Sequence, residues 1–226
     1  MVQIDKYVLP PTALIPNSPY PLLRYRRHLS PDDPRSVATQ FYDLLSSNGW
    51  QAQWIFRYGS TQKSHYHSLA HECMVVLTGK ATVRFGVADT AEDLDESTWG
   101  GGKEDGGIEL EAQAGDVFII PAGVAHKTFD AQPTASFKLL TPGDGHDLPP
   151  DVRSKLDSIE LSGFTMMGAY PRDGGPWDFA VGGEGATVYA SAWALPRPNW
   201  DPVLGESEEG LCTLWDPQNG SGVTTN

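Results

Sequence analysis

The sequence predicts an all-β protein, a sandwich or barrel with a few peripheral helices. Glycine and proline are frequent, 24 and 18 of the 226 residues, which favours short strands and turns over a helical bundle. From Trp50 to Leu140 the chain is a succession of short β-rich runs broken by glycine, as in sandwiches and barrels. A chain of this length can fill one core but not two full domains.

Three regions are expected along the chain. Residues 1–49 should be an extended, proline-rich arm followed by a helix that packs on the barrel, with capping candidates at Asp32–Pro34 and a stop at Ser47–Gly49. Residues 50–145 should form the barrel core. Residues 146–226 should begin with a helix and continue as a Trp/Pro/Gly-rich segment that packs on the barrel or on a partner subunit.

The runs predicted as strands are QAQWIFRY, the flanks of the His-x-His pair, CMVVL, ATVRFGV, IELEA, DVFII, HKTF and ASFKLL. Between two of them lies an acidic, glycine-rich insertion, residues 88–107. We expect a mobile surface loop there. A calcium loop is disfavoured because the spacing of its acidic residues fits no EF-hand register.

The charge and cysteine content exclude several functional classes. A formal net charge of −13 argues against nucleic acid and anionic membranes as partners, since both need a basic surface. No stretch approaches the roughly 18 apolar residues of a membrane helix, and the N-terminus lacks a signal-peptide pattern. With only two cysteines, Cys73 and Cys212, a disulfide scaffold is not indicated, so we expect a cytoplasmic protein.

The strongest chemical signal is a set of four metal-binding side chains, His65, His67, Glu72 and His126. His65 and His67 are two apart, so on a strand their imidazoles point to the same face. Glu72 follows after four residues, and His126 comes from a distant segment, after a turn. Imidazole and carboxylate ligands suit one divalent transition metal, namely Fe, Mn, Ni, Cu, Co or Zn. An octahedral ion would keep two open positions, as expected of a catalytic site.

The spacing around these residues resembles the first signature motif of the cupin superfamily, in its germin-like form. The pattern G(X)5-H-X-H-(X)4-E-(X)6-G is met in full by Gly59, His65, His67, Glu72 and Gly79.

The second cupin motif, G(X)5-P-X-G-(X)2-H-(X)3-N, is met by Gly115, Pro121, Gly123 and His126, with Asp130 in place of the final Asn. This departure lies outside the ligand set, so it weakens the following turn more than the metal assignment. Elsewhere, IPNSPYPLLRYR, MMGAYPRDGGPWD and ALPRPNWDPVLG look like the single-domain YjlB-like cupins of bacteria and fungi.

The resemblance implies a jelly-roll β-barrel, or double-stranded β-helix, with the metal inside its mouth, and a homodimer. It favours a metal-dependent enzyme, an oxidoreductase such as a dioxygenase, that acts on a small oxygenated molecule with adjacent oxygens. A phenolic, a diketone or a carboxylate would qualify. The alternatives are a metal-dependent lyase, isomerase or decarboxylase, and a non-catalytic protein that binds a metal or a small ligand. The fold alone does not choose among them.

Glu72 and His71 are the candidate catalytic residues. Glu72 could act as a base if it loosens from the metal, as similar cupins are thought to allow. His71 should face away from the metal on a regular strand, so it is either a satisfied surface or core histidine, a partner of a ligand, or a base if the backbone bends. Tyr66 and Cys73 should point away from the metal and pack, whereas His146 should be exposed in a polar loop.

By alternation, further side chains should line the barrel interior, namely Met74, Val76, Thr128, Phe118 or Ile119, and one face of Trp54/Phe56. His28, in a polar loop, is expected to be exposed.

Overall fold

Two antiparallel sheets dominate the computed structural model, which describes residues 2–26 and 35–216. The ten strands of the described residues are β1 (Ile4–Tyr7), β2 (Leu22–Tyr25), β3 (Trp50–Arg57), β4 (Glu72–Thr78), β5 (Lys80–Phe85), β6 (Ile108–Gln113), β7 (Val117–Ile120), β8 (His126–Gln132), β9 (Lys138–Leu139) and β10 (Thr165–Pro171). One sheet has the order β1-β2-β7-β4-β10-β3-β9, and the other has the order β6-β5-β8. The predicted all-β class, with a few helices, is confirmed.

The helices of the described residues are short. They are α1 (Val37–Ser47), α2 (Leu94–Trp99), α3 (Ala186–Ala194), α4 (Leu211–Leu214) and a 3₁₀ helix (Val152–Ser158). None of them has the length and apolar character that crossing a membrane would require.

The seven-stranded sheet separates two apolar clusters. The inner cluster lies between the two sheets and contains Met74, Phe118 and Tyr170 from the larger sheet with Val83 and Phe85 from the smaller one. The outer cluster lies on the opposite face, where α1, the 3₁₀ helix and α4 cover the sheet. Because side chains alternate along a strand, β4 contributes Glu72, Met74 and Val76 to the inside, and Cys73, Val75 and Leu77 to the outer cluster.

Helix α1 begins later than the sequence suggests. Its N-cap is Ser36, whose Oγ accepts a hydrogen bond from the Thr39 backbone N–H at 3.2 Å. The predicted acidic cap at Asp32–Pro34 lies outside the described residues, as does His28. The helix ends at Ser47, as predicted, and Gly49 follows with a φ of +78°.

Strands from outside residues 50–145 complete the larger sheet. The segment predicted as an extended arm contributes β1 and β2, and β2 pairs with β7. Strand β10, which was not predicted from the sequence pattern, lies between β3 and β4. Of the run ASFKLL, only Lys138–Leu139 forms a strand.

The acidic insertion 88–107 contains regular secondary structure, where a surface loop was expected. It contains α2, whose N-cap Asp93 accepts hydrogen bonds from the backbone N–H groups of Asp95 and Glu96 at 2.9 Å. Asp89 at its base forms a buried ion pair with Lys127, with Nζ–Oδ distances of 2.9 and 3.0 Å. This pair attaches the insertion to strand β8.

Candidate metal centre

Backbone hydrogen bonds bring the two histidine segments together. The His65 N–H donates to the His126 carbonyl at 3.2 Å, and the His126 N–H returns a bond to the His65 carbonyl at 2.8 Å. The Gly123 N–H donates to the His67 carbonyl at 2.8 Å. Gly123 has a φ of +90°, and a Cβ there would lie 2.5 Å from the Asn17 carbonyl, so only glycine fits this turn. The flanks of the His-x-His pair are thus isolated β-bridges, not strands.

Three histidines converge within the barrel. One ring nitrogen each of His65, His67 and His126 lies within 4.8 Å of the other two. Glu72, the first residue of β4, completes the group on one side, because its Oε2 lies 3.4 Å from His67 Nε2 and 3.3 Å from His126 Nε2. All four side chains that the sequence nominated as ligands therefore line one cavity.

The orientation of each imidazole suits metal binding through Nε2. The Nδ1 atoms of His65 and His126 lie 3.1 and 3.4 Å from the carbonyl oxygens of Lys63 and Val124. His67 Nδ1 contacts the Asp178 carbonyl. A carbonyl accepts a hydrogen bond, so each ring carries its proton on Nδ1 and keeps a lone pair on Nε2.

Glu72 has one satisfied oxygen and one unsatisfied oxygen. Its Oε1 accepts a hydrogen bond from the Tyr170 hydroxyl at 2.5 Å, and Trp54 Nε1 donates to that hydroxyl at 3.3 Å. Its Oε2 is buried and has no hydrogen-bond partner among the described residues. A buried carboxylate oxygen without a partner is costly unless a cation neutralises it. The donor set and this unpartnered oxygen both fit a divalent ion.

The electrostatics of His65, His126 and Glu72 favour the protonation states that metal binding requires. Burial lowers the pKa of His126 to about 4 and that of His65 well below its usual range, so both rings are neutral near pH 7. Burial alone would raise the pKa of Glu72, but the adjacent His67 and His126 and the Tyr170 hydroxyl bring it to about 2. The pKa of His67 is raised despite its burial, because the Glu72 carboxylate favours its charged form.

A short segment near the C-terminus, Trp177–Phe179, holds the first two histidines. The Phe179 ring stacks on His65 with centroids 4.2 Å apart, and Trp177 contacts the edge of His67 at 5.3 Å. The Asp178 carboxylate accepts hydrogen bonds from the Ser68 N–H and hydroxyl, both at 2.7 Å. Groups that orient metal ligands in this way tune metal affinity.

A cavity of about 160 Å³ opens beside the four side chains. Besides Met74 and Gln62, its lining is aromatic and consists of Trp54, Phe56, Tyr58, Phe137, Tyr170, Trp177 and Phe179. A larger surface groove of about 510 Å³ runs along Trp50, Arg172 and Trp200, but it contains none of the candidate ligands. The smaller cavity, which contains all four candidate ligands, is therefore the candidate site.

His71 does not share this cavity. It is buried on the other side of the backbone, where its Nδ1 accepts a hydrogen bond from the Ala122 N–H at 3.0 Å and its Nε2 lies 3.1 Å from the Pro196 carbonyl. Its ring packs against Trp215. With both nitrogens engaged, His71 has the surroundings of a satisfied core histidine and not those of a base, which corrects its inclusion among the catalytic candidates.

The packing predictions by alternation agree with the structure. Cys73 is fully buried in the outer cluster, and Tyr66 is fully buried with its hydroxyl donating to Glu184 Oε2 at 2.6 Å. Thr128 is buried, Phe118 but not Ile119 belongs to the inner cluster, and Trp54 and Phe56 line the cavity. His146 is exposed but stacks on Trp177 with centroids 4.1 Å apart.

Several residues that surround the site were not predicted from the sequence, namely Tyr58, Gln62, Phe137, Tyr170, Asp178 and Phe179. A signal for Tyr170 exists in the run TMMGAYP, where apolar and aromatic residues flank a glycine. Gly168 is needed there because a Cβ would lie 2.0 Å from the Trp54 ring. Asp178 and Tyr58 carry no local signal, since their roles depend on segments that are distant in sequence.

Comparisons with known proteins agree with this architecture. The model of the Cupin family matches residues 39–142. The uncharacterized protein YjlB of Bacillus subtilis (strain 168) is 27% identical over 221 residues, which cover 94% of this chain and 97% of that protein.

Two solved structures are more distant. Vicilin from Corylus avellana (hazelnut) is 15% identical with a TM-score of 0.28, covering 68% of this chain and 30% of its own. The oxalate decarboxylase of Lactobacillus farciminis, solved as a formate complex, is 18% identical with a TM-score of 0.26. The match covers 53% of this chain and 24% of the decarboxylase chain. This chain spans under a third of either protein, and similarities this weak support no inference about activity.

Proposed function

We propose that this chain, which contains a cupin domain over residues 39–142, is a metal-dependent enzyme acting on a small oxygenated organic molecule. The observation that carries the proposal is the buried Glu72 Oε2, which has no hydrogen-bond partner among the described residues and lies beside the imidazoles of His67 and His126. A structural role for this group would leave its charge poorly compensated. A cation held by these side chains and His65, next to a cavity, accounts for the arrangement.

When bound, a divalent transition metal supplies a Lewis acid for an oxygenated substrate and, as Fe, Ni or Cu, a centre for O₂ chemistry. His65, His67, Glu72 and His126 would hold it, and Tyr170 would orient Glu72 through the hydrogen bond to Oε1.

We favour an oxidoreductase, such as a dioxygenase, over a lyase or an isomerase. Acid–base catalysis requires side chains positioned to transfer protons near the substrate. Apart from the candidate ligands, the polar side-chain groups of the cavity are the hydroxyls of Tyr58 and Tyr170, the amide of Gln62 and the indole N–H groups of Trp54 and Trp177, and none of these is a carboxylate, an imidazole or an amine. With Zn or Mn, Glu72 acting as a base would instead support lyase, isomerase or decarboxylase chemistry.

Elemental analysis of protein purified without added metal tests the proposal. We expect about one equivalent of a divalent transition metal per chain, and its identity separates oxygen chemistry from acid–base chemistry. The double variant His67→Ala/His126→Ala should lose this metal and remain folded. Retention of stoichiometric metal by that variant would show that the ligand set is wrong.

A non-catalytic metal-binding protein is the alternative function, and it differs in access to the ion. Water-proton relaxation of the Mn(II)-loaded protein measures whether an exchangeable water reaches the metal. Enhanced relaxation is expected for an enzyme with an open coordination position. A value equal to that of a closed site would favour the storage alternative.

A further inference from the structure

We infer that the cavity beside the candidate ligands selects a single-ring aromatic molecule carrying an oxygen donor, such as a phenol or catechol, over a small dicarboxylate. The inference rests on the proposed function, because it assigns the substrate class of the same site. Size, charge and the available polar groups of the cavity support it independently.

The size of the cavity corresponds to one ring. Its volume is about 160 Å³, and an apolar protein cavity of about 150 Å³ holds one benzene molecule. Trp54, Tyr170 and Trp177 form one side, where the Tyr170 and Trp177 rings lie nearly parallel, 14° apart. Flat rings packed against such walls gain both apolar burial and aromatic contacts.

The charge of the cavity disfavours a dianion. Its lining contains neither lysine nor arginine. With three neutral imidazoles and one carboxylate, a divalent ion would leave a single net positive charge. This charge neutralises the single negative charge of a phenolate or a singly ionised catechol. A dicarboxylate would bring a second negative charge into an apolar space with no cationic side chain to pair with it, which is costly.

Three polar groups remain available to a bound ring, and one is the Trp177 indole Nε1, which is buried and has no hydrogen-bond partner among the described residues. The Tyr58 side chain lines the cavity and is 6% exposed, and its hydroxyl has no hydrogen-bond partner among residues 2–26 and 35–216. The Gln62 side-chain amide also lines the cavity and is likewise unpartnered within those ranges. By contrast, the Tyr170 hydroxyl is already engaged by Glu72 and Trp54. Tyr58 and Gln62 therefore suit hydroxyl or carbonyl substituents of the ring.

Phe137 belongs to the wall of the cavity, and its ring contacts within the described residues are with Phe56 and Tyr58 and not with the candidate histidines. Its ring stacks on Phe56 with centroids 5.1 Å apart and meets the Tyr58 ring edge at 6.0 Å, and it is 57% exposed. Because more than half of its surface is exposed, removal of the Phe137 ring should change ligand binding with little effect on folding. Phe137→Ala is therefore a clean probe of the aromatic wall.

The test is calorimetric titration of the metal-containing protein with catechol and with oxalate, without oxygen, after metal analysis of the same sample. We expect catechol to bind at least about tenfold more tightly than oxalate.

Phe137→Ala should weaken catechol binding about three- to tenfold and leave oxalate binding and metal content unchanged. Tyr58→Phe should weaken catechol by about fivefold, the effect of one hydrogen bond. Trp200→Ala, a half-exposed aromatic residue away from the cavity, is the matched control and should change nothing.

The outcomes separate this inference from the proposed function. A metal-containing protein that binds oxalate as tightly as catechol, or in which Phe137→Ala behaves like Trp200→Ala, would overturn the assigned substrate class and leave the metal site standing. Protein that contains no metal but binds catechol in a Phe137-dependent way would overturn the proposed function and support the preference of the cavity.

Discussion

Two buried carboxylates, one on each side of the larger sheet, differ in how completely they are satisfied. On the outer side, Asp201 accepts hydrogen bonds from the Tyr25 hydroxyl and from three backbone N–H groups, those of Val203, Leu204 and Leu211. On the inner side, Glu72 accepts one from the Tyr170 hydroxyl, and its Oε2 accepts none from the described residues.

The difference distinguishes a carboxylate whose oxygens are all used within the fold from one that keeps an oxygen available to a cation. Asp201 joins β2 to the C-terminal segment, and both of its oxygens are used, so it has no capacity for a ligand. Glu72 retains an oxygen that only a cation or a proton can satisfy. Buried charge alone therefore does not mark a site in this molecule. Incomplete satisfaction beside a cavity is what distinguishes the candidate site.

The largest effect on stability should come from the outer carboxylate. Asp201→Ala removes the acceptor of four donors. Hydrogen bonds to charged groups contribute about 1.5–3 kcal/mol each, although such contributions are not strictly additive. We therefore expect the free energy of unfolding to fall by at least about 3 kcal/mol. Urea unfolding measures the loss. The remaining folded protein should bind the same amount of metal, and a parallel loss of metal would show that the two sides are coupled.

The inner carboxylate should show the opposite pattern. Glu72→Gln removes the negative ligand, so metal affinity should fall by at least about 100-fold, beyond the effect typical of groups around a ligand. Unfolding of the metal-free variant should change little, because an uncompensated buried charge is lost. Competition with a chelator of known affinity measures the metal constant.

Cys73→Ala, at the next position of β4 but on the outer side, is the control for this change and should keep the wild-type metal affinity. If Glu72→Gln also bound metal as the wild-type does, Glu72 would not be a ligand.

A pair of matched tyrosine variants sharpens the comparison. Tyr170→Phe leaves Glu72 Oε1 without its donor and should lower metal affinity by about tenfold. Tyr25→Phe removes the corresponding hydroxyl on the outer side and should cost about 1–3 kcal/mol of unfolding free energy while metal affinity stays unchanged. Urea unfolding and competition with a chelator, applied to both variants, measure these effects. Equal effects of the two variants on metal affinity would contradict the division between the two sides of the sheet.

The smallest effect concerns an exposed ion pair over the outer cluster. Arg153 of the 3₁₀ helix donates two hydrogen bonds of 2.6 Å to Asp43 of α1, and these bonds hold the pKa of Asp43 below its usual value. A lowered pKa in the folded state gives stability that is present above the unfolded value, about 3.9, and is lost as the pH falls through the folded value.

Asp43→Asn should therefore reduce stability slightly at neutral pH, and the difference from wild type should vanish in acid. Thermal unfolding at several pH values measures it. A difference that grows in acid would contradict this account. Metal content near neutral pH should be the same in both proteins.

The sequence was most informative where chemistry demands a residue type at a given spacing. His65, His67, Glu72 and His126 stand out in the sequence alone, because the spacing of the two motifs is specific. The strands that begin at Glu72 and His126 were also predictable, because they are β-rich runs near glycine-containing turns. The second-motif position Asp130 has a φ of +53°, a conformation that Asp and Asn tolerate better than most residues. This explains how Asp replaces Asn there.

Prediction from the sequence failed where the structure of a segment depends on contacts with residues that are distant in the chain. The run TMMGAYP has a weak strand pattern, yet it becomes β10 because β3 and β4 pair with it on both sides. The insertion 88–107 has the composition of a loop, but the Asp93 cap and the Asp89–Lys127 pair order it. His71 is next to Glu72 in the sequence, although alternation turns it to a different environment.

By itself, the sequence determined the candidate ligand set, the fold class and the alternation of inward and outward residues, because these follow from local spacing and the two-residue period of a strand. Only the tertiary structure decided which buried polar groups are satisfied and what surrounds the site. The Trp177–Phe179 segment, Tyr170 and Phe137 reach the cavity from far along the chain. Whether a buried oxygen finds a donor depends on those long-range contacts, so no local pattern could encode it.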